Sequence, residues 1–221
     1  GSSVRGAGRL NSDGIDDIVV TEWDTVSNTF TASQVYGRNV SSKSSIQNVT
    51  NIYGVGADGL PVNGERVAVG ELWFFSGEDD FGQELWVSDG TALGTRRISD
   101  ISPGIAKSYP EELTNVNGTL YFRAYDGTEH WLYKSDGTPQ GTVRVNNDAT
   151  DGEFPNQLVN ANGTLYYSAS TAANGDELWR SNQSGTSRIT DLVAGSGSSY
   201  PRNLTNVSGM VYFVARTGAT G

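Results

Sequence analysis

Three groups of residues in this chain have the types and spacing for chemistry. The first is the segment 9–17, Arg9-Leu10-Asn11-Ser12-Asp13-Gly14-Ile15-Asp16-Asp17, with the x-x-Asn-x-Asp-Gly-x-x-Asp spacing of a calcium loop. In such a loop alternate residues turn oxygen ligands inward and the glycine permits the sharp bend. The same residues also suit an ordinary turn, with Asn11, Asp13 and Gly14 bending the backbone and Arg9 neutralising nearby carboxylates. The second group comprises the adjacent carboxylates Asp16-Asp17 and Asp79-Asp80. A glycosidase needs two carboxyl groups about 5 to 10 Å apart across a cleft. Neighbouring side chains on a strand point to opposite faces, and on a loop they face water, which argues against that use.

The third group is aromatic: Trp73, Trp86, Tyr121, Tyr133, Tyr166, Trp179 and Tyr212. Rings beside Asn and Asp side chains are the ingredients of sugar binding, and repetition gives several weak sites whose avidity multiplies. Trp73, Trp86, Tyr133 and Trp179 are the candidate ligand contacts. Their phase follows the apolar positions around them, so the rings equally suit a core between packed sheets. His130 is the only histidine. One imidazole makes neither a multi-histidine zinc site nor, here, a recognisable triad. Asp89 and Asp136 recur before glycine, where an aspartate bonds its own backbone in a turn.

These residues are carried on a repeat. Glu84-Leu85-Trp86-Val87-Ser88-Asp89-Gly90-Thr91-Ala92-Leu93-Gly94-Thr95 returns as Leu132-Tyr133-Lys134-Ser135-Asp136-Gly137-Thr138-Pro139-Gln140-Gly141-Thr142. A shortened form follows at Glu177-Leu178-Trp179-Arg180-Ser181-Asn182-Gln183-Ser184-Gly185-Thr186. Ser88, Ser135 and Ser181 are 47 and 46 positions apart, the length of one propeller blade or one solenoid coil. Around Gly70, Asn117-Gly118, Asn162-Gly163 and Ser208-Gly209, apolar runs flank a turn; Asn-Gly in that setting is a strong hairpin signal.

Each unit then reads as four strands: one before this turn, one around Leu-Tyr-Phe, one around Leu-Trp, and a fourth at 95–98, 142–145 or 186–189. Aromatic-proline links (Tyr109-Pro110, Phe154-Pro155, Tyr200-Pro201) lead into the next unit. The third Ser-to-Thr loop is two residues shorter than the first, as a surface hairpin loop tolerates. Leu120-Tyr121-Phe122 is apolar on both faces, as a strand sandwiched between sheets requires. Upstream, 4–10, 18–23, 29–36 and 46–53 read as four further strands.

The expected fold is an all-β propeller of four-stranded antiparallel blades, about 4–5 of them. Residues 1–64 make a first blade and link, 65–111, 112–156 and 157–201 the repeats, and 202–221 half a repeat, so that the chain reads as an excerpt of a larger propeller. The unfinished half is completed by further chain, by the N-terminal strands, or by a neighbouring subunit.

Composition narrows the partners. The 25 acidic and 15 basic residues leave a net charge of −10, which repels phosphate backbones and anionic lipid heads and argues against nucleic acid. No apolar run reaches bilayer-spanning length, and no signal-peptide pattern stands at Gly1. The lack of cysteine removes disulfides and thiol chemistry. Abundant Gly, Ser, Thr and Asn with only Lys43, Lys107 and Lys134 as lysines resembles secreted or surface proteins.

Two family resemblances follow from the motifs. The segment 9–17 with the strand after it resembles the FG-GAP repeat of integrin-α-like propellers, whose loop opens on Asp where this chain has Arg9. That resemblance implies a calcium site with Asn11, Asp13, the Ile15 carbonyl and Asp17 as ligands. The phrases E-L-W-x-[ST]-D-G-T-x-x-G-T and N-G-T-L-Y-F resemble the hyalin-like repeats of large bacterial surface and secreted proteins, over residues 65–221. This implies non-enzymatic blades in adhesin-like proteins at the cell surface or outside the cell. The expected function is adhesion, or binding of surface glycans or another extracellular protein. The alternatives are a structural module whose subunits complete each other's blades, and a propeller glycosidase or lyase.

Overall fold

The computed structural model of the chain describes residues 3–8, 17–24, 29–35, 48–50, 61–91, 94–145, 153–182 and 185–218, with side chains from Glu65 onward, Glu153 excepted. The described elements are all strands, and they lie in successive antiparallel sheets. β1 (Ser3–Gly8), β2 (Asp17–Asp24), β3 (Thr29–Val35) and β4 (Asn48–Thr50) form the first, in that order. β5 (Pro61–Val69), β6 (Leu72–Asp79), β7 (Gly82–Ser88) and β8 (Arg96–Arg97) form the second. β9 (Glu111–Val116), β10 (Thr119–Tyr125), β11 (His130–Ser135) and β12 (Val143–Arg144) form the third. β13 (Glu153–Ala161), β14 (Thr164–Thr171), β15 (Gly175–Asn182) and β16 (Gly185–Arg188) form the fourth, and β17 (Arg202–Val207) pairs with β18 (Met210–Val214).

The turns are of the expected kind. Asn117 and Gly118, Asn162 and Gly163, and Ser208 and Gly209 all have positive φ, the type I′ geometry whose twist matches the strands it joins. The β5–β6 turn has positive φ at Gly70 alone. Cross-strand pairing puts the three serines in register: Trp73 opposite Ser88, Leu120 opposite Ser135, Leu165 opposite Ser181.

Apolar residues from facing sheets make two cores. Phe74, Leu85 and Val87 of the second sheet pack with Leu113, Leu120, Phe122, Ala124 and Tyr133 of the third. Val116, Tyr121 and Leu132, on the other face of the third, pack with Leu158, Leu165, Tyr167, Ala169 and Trp179 of the fourth. The third sheet is thus sandwiched, which is why both faces of β10 are apolar. A fully buried Phe122 alone is worth about 1.5–3 kcal/mol over its exposed state. The first strands adjoin as well: β9 lies against β5 and β13, and β13 against β17.

Several boundaries differ from the expectation. Phe154-Pro155 lies inside β13, because the ladder with β14 tolerates irregularities between Glu153 and Asn156 and again before Val159. β5 begins at Pro61, across a similar irregularity. The fourth strands β8 and β12 pair over only two residues, although the Ile98 and Val145 N–H groups still reach the Leu85 and Leu132 carbonyls. The shortened third loop lets β16 pair right up to Asn182 opposite Gly185.

Candidate binding face

The polar side chains that recur in the described repeats are first of all joints. Glu65 accepts the Glu112 and Leu113 N–H groups at 3.1 and 2.8 Å. One unit on, Glu112 accepts the Leu158 N–H at 2.9 Å, and Gln157 accepts the Leu204 N–H at 3.2 Å. Burial pushes the Glu65 carboxyl up, against the lowering effect of its two N–H bonds, and the nearby Glu112 and Glu111 push the same way as burial. A second set of joints is amide-based: Asn115, Asn160 and Asn206 each donate at 2.8 Å to a carbonyl of the preceding sheet, at Ala68, Asn115 and Asn160.

Glu84 is fully buried on β7, where it accepts the Ile101 and Ser102 N–H groups and the Ser108 hydroxyl at 3.0, 3.1 and 2.7 Å. It therefore clamps the link that folds back over the third strand. Burial raises its carboxyl above the usual range even though these three bonds oppose the shift. Glu177 repeats the position, accepting the Thr190 hydroxyl at 2.6 Å. In the middle unit the register puts Trp131, opposite Ala124, where Glu84 stands opposite Gly77 and Glu177 opposite Ala169. His130 is therefore the counterpart of Gln83 and Asp176. It lies between the Tyr125 and Phe154 rings, at 5.2 and 5.8 Å between centroids.

The Ser-Asp-Gly-Thr phrase is a self-bonded loop. Asp89 accepts the N–H and hydroxyl of Thr91, the Thr91 hydroxyl accepts the Gly94 N–H, and Thr95 donates to the Thr91 carbonyl while pairing with Ser88. Asp136, Thr138, Gly141, Thr142 and Ser135 repeat every bond. The Thr91 and Thr138 hydroxyls, with the N–H groups beside them, hold the two aspartates below the usual carboxylate range. Gly94 is required because a Cβ there would lie 1.9 Å from the Asp89 carboxylate.

Of the candidate ligand contacts, Trp86, Tyr133 and Trp179 are buried, at 2, 9 and 5% exposure, and Trp73 is half-buried. Burial pushes the Tyr133 hydroxyl up to about 12. Asp79 accepts the Phe81 N–H at 2.9 Å and lies 3.7 Å from Arg97, and Asp80 is exposed in the turn. Asn11, Asp13 and Ile15 lie outside the described residues, and Asp17 enters only as backbone at the start of β2. Among the described residues no group of three or more His, Cys, Asp or Glu side chains is placed to hold a metal.

A different aromatic set reaches the surface. Tyr109, Phe154 and Tyr200 are 44, 44 and 48% exposed and have φ of 48, 52 and 48°. Each precedes a proline and stands at or just before the start of β9, β13 or β17. A bulky side chain is strained in this left-handed region, and a following proline further restricts the backbone. An open cleft of about 450 Å³ is lined by Glu65, Glu111, Glu112, Thr114 and Arg123 with Leu113 and Leu158. Arg123 bridges it, pairing with Glu111 on one side and with Asn156 and the Pro155 carbonyl on the other. The signal available in the sequence was the threefold aromatic-proline pair, each followed by two polar residues. No known family model matches the chain, and no curated protein matches it.

Proposed function

We propose that the successive sheets are blades of a β-propeller and that the chain is a non-catalytic adhesion or ligand-binding scaffold of a bacterial protein, placed at the cell surface or outside the cell. The observation that supports it is the use made of the recurring acidic side chains. Glu65, Glu84, Glu112, Asp89 and Asp136 spend carboxylate oxygens on backbone or hydroxyl donors of their own or the next unit. A general acid or nucleophile needs such a group turned toward a substrate; here the groups stiffen a frame that presents loops.

The reading is tested by offering the chain immobilised glycans and extracellular-matrix proteins while following product release. Saturable binding without turnover is the expected result. Release of reducing sugar would make the chain a propeller glycosidase instead. Calcium at the 9–17 loop belongs to the same proposal and rests on its sequence spacing. Calcium should raise the melting temperature relative to chelator, and Asp13→Ala should remove the difference.

A second reading, assembly through blade completion, is favoured by the face of β17–β18. Val207 and Tyr212 are exposed there, whereas their counterparts Val116 and Tyr121 are buried against the next sheet. A second copy of the chain seated on that face would bury them.

A further inference from the structure

We propose that Tyr109, Phe154 and Tyr200 are stacking platforms for a neutral oligosaccharide, and that the adjoining cleft hydrogen-bonds its hydroxyl groups. This rests on the reading of the chain as a ligand-binding scaffold, and it assigns the binding to residues other than the buried tryptophans.

The argument begins with conformation. Glycine or asparagine takes φ near +50° without strain, so the backbone here does not call for an aromatic. Three times, 45 and 46 positions apart, the chain nevertheless places one there, and each time the ring is nearly half exposed. Burial does not repay the strain. Strained, exposed side chains at a fixed place in each unit mark a surface kept for contact.

The surroundings indicate what is contacted. His130 lies 5.8 Å from the Phe154 ring and Arg216 5.2 Å from the Tyr200 ring, which steadies both rings. The wall of the cleft comes near the first two platforms along the chain: Glu111 follows Tyr109 by two residues, and Arg123 bonds Pro155 and Asn156 directly after Phe154. Its lining is mainly carboxylate, guanidinium and hydroxyl, with Leu113 and Leu158 as its apolar members. A pyranose ring offers an apolar C–H face to an aromatic and hydroxyls at its rim to such groups. The net charge of −10 disfavours acidic polysaccharides and leaves neutral ones. Because β9 and β13, and β13 and β17, adjoin, the platforms stand at the starts of neighbouring strands, and one extended chain can engage more than one of them.

The test is titration calorimetry on the full chain with cellohexaose, mannohexaose and N-acetylchitohexaose, with oligogalacturonate and a proline-rich peptide as controls. The variants are Tyr109→Asn, Phe154→Asn and Tyr200→Asn, singly and together. At least one neutral hexasaccharide should bind the unaltered chain. Each single change should weaken it about tenfold, and the triple change should abolish it. The melting temperature should stay the same or rise, because asparagine accepts the left-handed backbone. Full binding by the triple variant would overturn the platform proposal and leave the scaffold reading standing. A triple variant that melts much lower would make the rings structural and also overturn it. If only the acidic sugar, the peptide or none of the probes binds, the oligosaccharide proposal fails, and the matrix-protein panel still decides the scaffold reading.

Discussion

The side-chain amide of Asn115 donates to the carbonyl oxygen of Ala68 at 2.8 Å, 47 positions earlier in the chain, while its own oxygen accepts the Gly118 N–H at 3.1 Å. One side chain closes a turn and fixes that turn against the preceding sheet. Asn160 does the same with Asn115 and Gly163, and Asn206 with Asn160 and Gly209. Asn160→Ala is expected to cost about 1–3 kcal/mol, because it strands the Asn115 carbonyl and the Gly163 N–H. Asn160→Asp keeps the turn acceptor but sets a carboxylate against a carbonyl, so it should be at least as costly. Urea unfolding of the three proteins decides it; an aspartate variant as stable as the parent would show that the bond between sheets contributes nothing.

The turn glycines separate strain from contact. Gly118 has φ of 84° and open space where a Cβ would go, so Gly118→Ala should cost only the left-handed penalty of about 1–2 kcal/mol. At Gly163, with φ of 77°, a Cβ would also lie 2.1 Å from the Asn117 amide nitrogen of the preceding turn. Asn117 is exposed and the clashing atom is the end of its side chain, which can swing aside, so Gly163→Ala should cost at most about 1 kcal/mol more than Gly118→Ala. In an Asn117→Ala background that excess should disappear. An excess that survives the double-mutant cycle would place the cost in the backbone.

The repeat period, the hairpin turns and the order of strands were legible because they rest on local chemistry: Asn-Gly accepts positive φ, and apolar runs of strand length bounded by turns need a sheet. Ser88, Ser135 and Ser181 fall in register as their spacing implies. What the joints do was not legible, since Glu65 meets Leu113 only once two sheets are packed. The aromatics illustrate the same limit. Trp86, Tyr133 and Trp179 look like a ligand set by composition, yet their strands place them inside. Tyr109, Phe154 and Tyr200 look like linker residues, and neither their exposure nor their left-handed backbone is written in residue type. Glu84 and Trp131 share a position that only cross-strand pairing reveals.

Glu84 gives a pH signature. Its folded carboxyl titrates above the unfolded value near 4.5, so its contribution to stability is fully present below that value and is lost as pH rises through the folded pKa. The Asp89 and Asp136 carboxyls run the other way: their contribution is present above about 3.8 and lost as pH falls through their lowered values. Glu84→Gln removes only the first trend and turns an amide N–H toward the N–H groups of Ile101 and Ser102. It should cost about 1–3 kcal/mol at pH 7. The gap between parent and variant should widen toward pH 5, measured by denaturant titration at both values. A gap that narrows on acidification would mean that burial does not dominate at this carboxyl.

Tyr212 decides between a solitary scaffold and an assembling one. It is 54% exposed, while Tyr121 at the same place two units earlier is 8% exposed against the fourth sheet. A tyrosine of this kind buries on the order of 150–250 Å² when covered, and Val207 lies on the paired strand, exposed in the same way. If a second copy covers the face, the mass in solution should rise with concentration between about 1 and about 100 µM, a range typical of modest interfaces. Tyr212→Asp should then hold the chain monomeric, because it leaves an unpaired charge in the contact, a change worth roughly 100-fold or more in affinity. Its melting temperature at low concentration should match the parent's, since the ring is half in water within one chain. A parent that stays monomeric throughout this range rules out assembly through β17–β18.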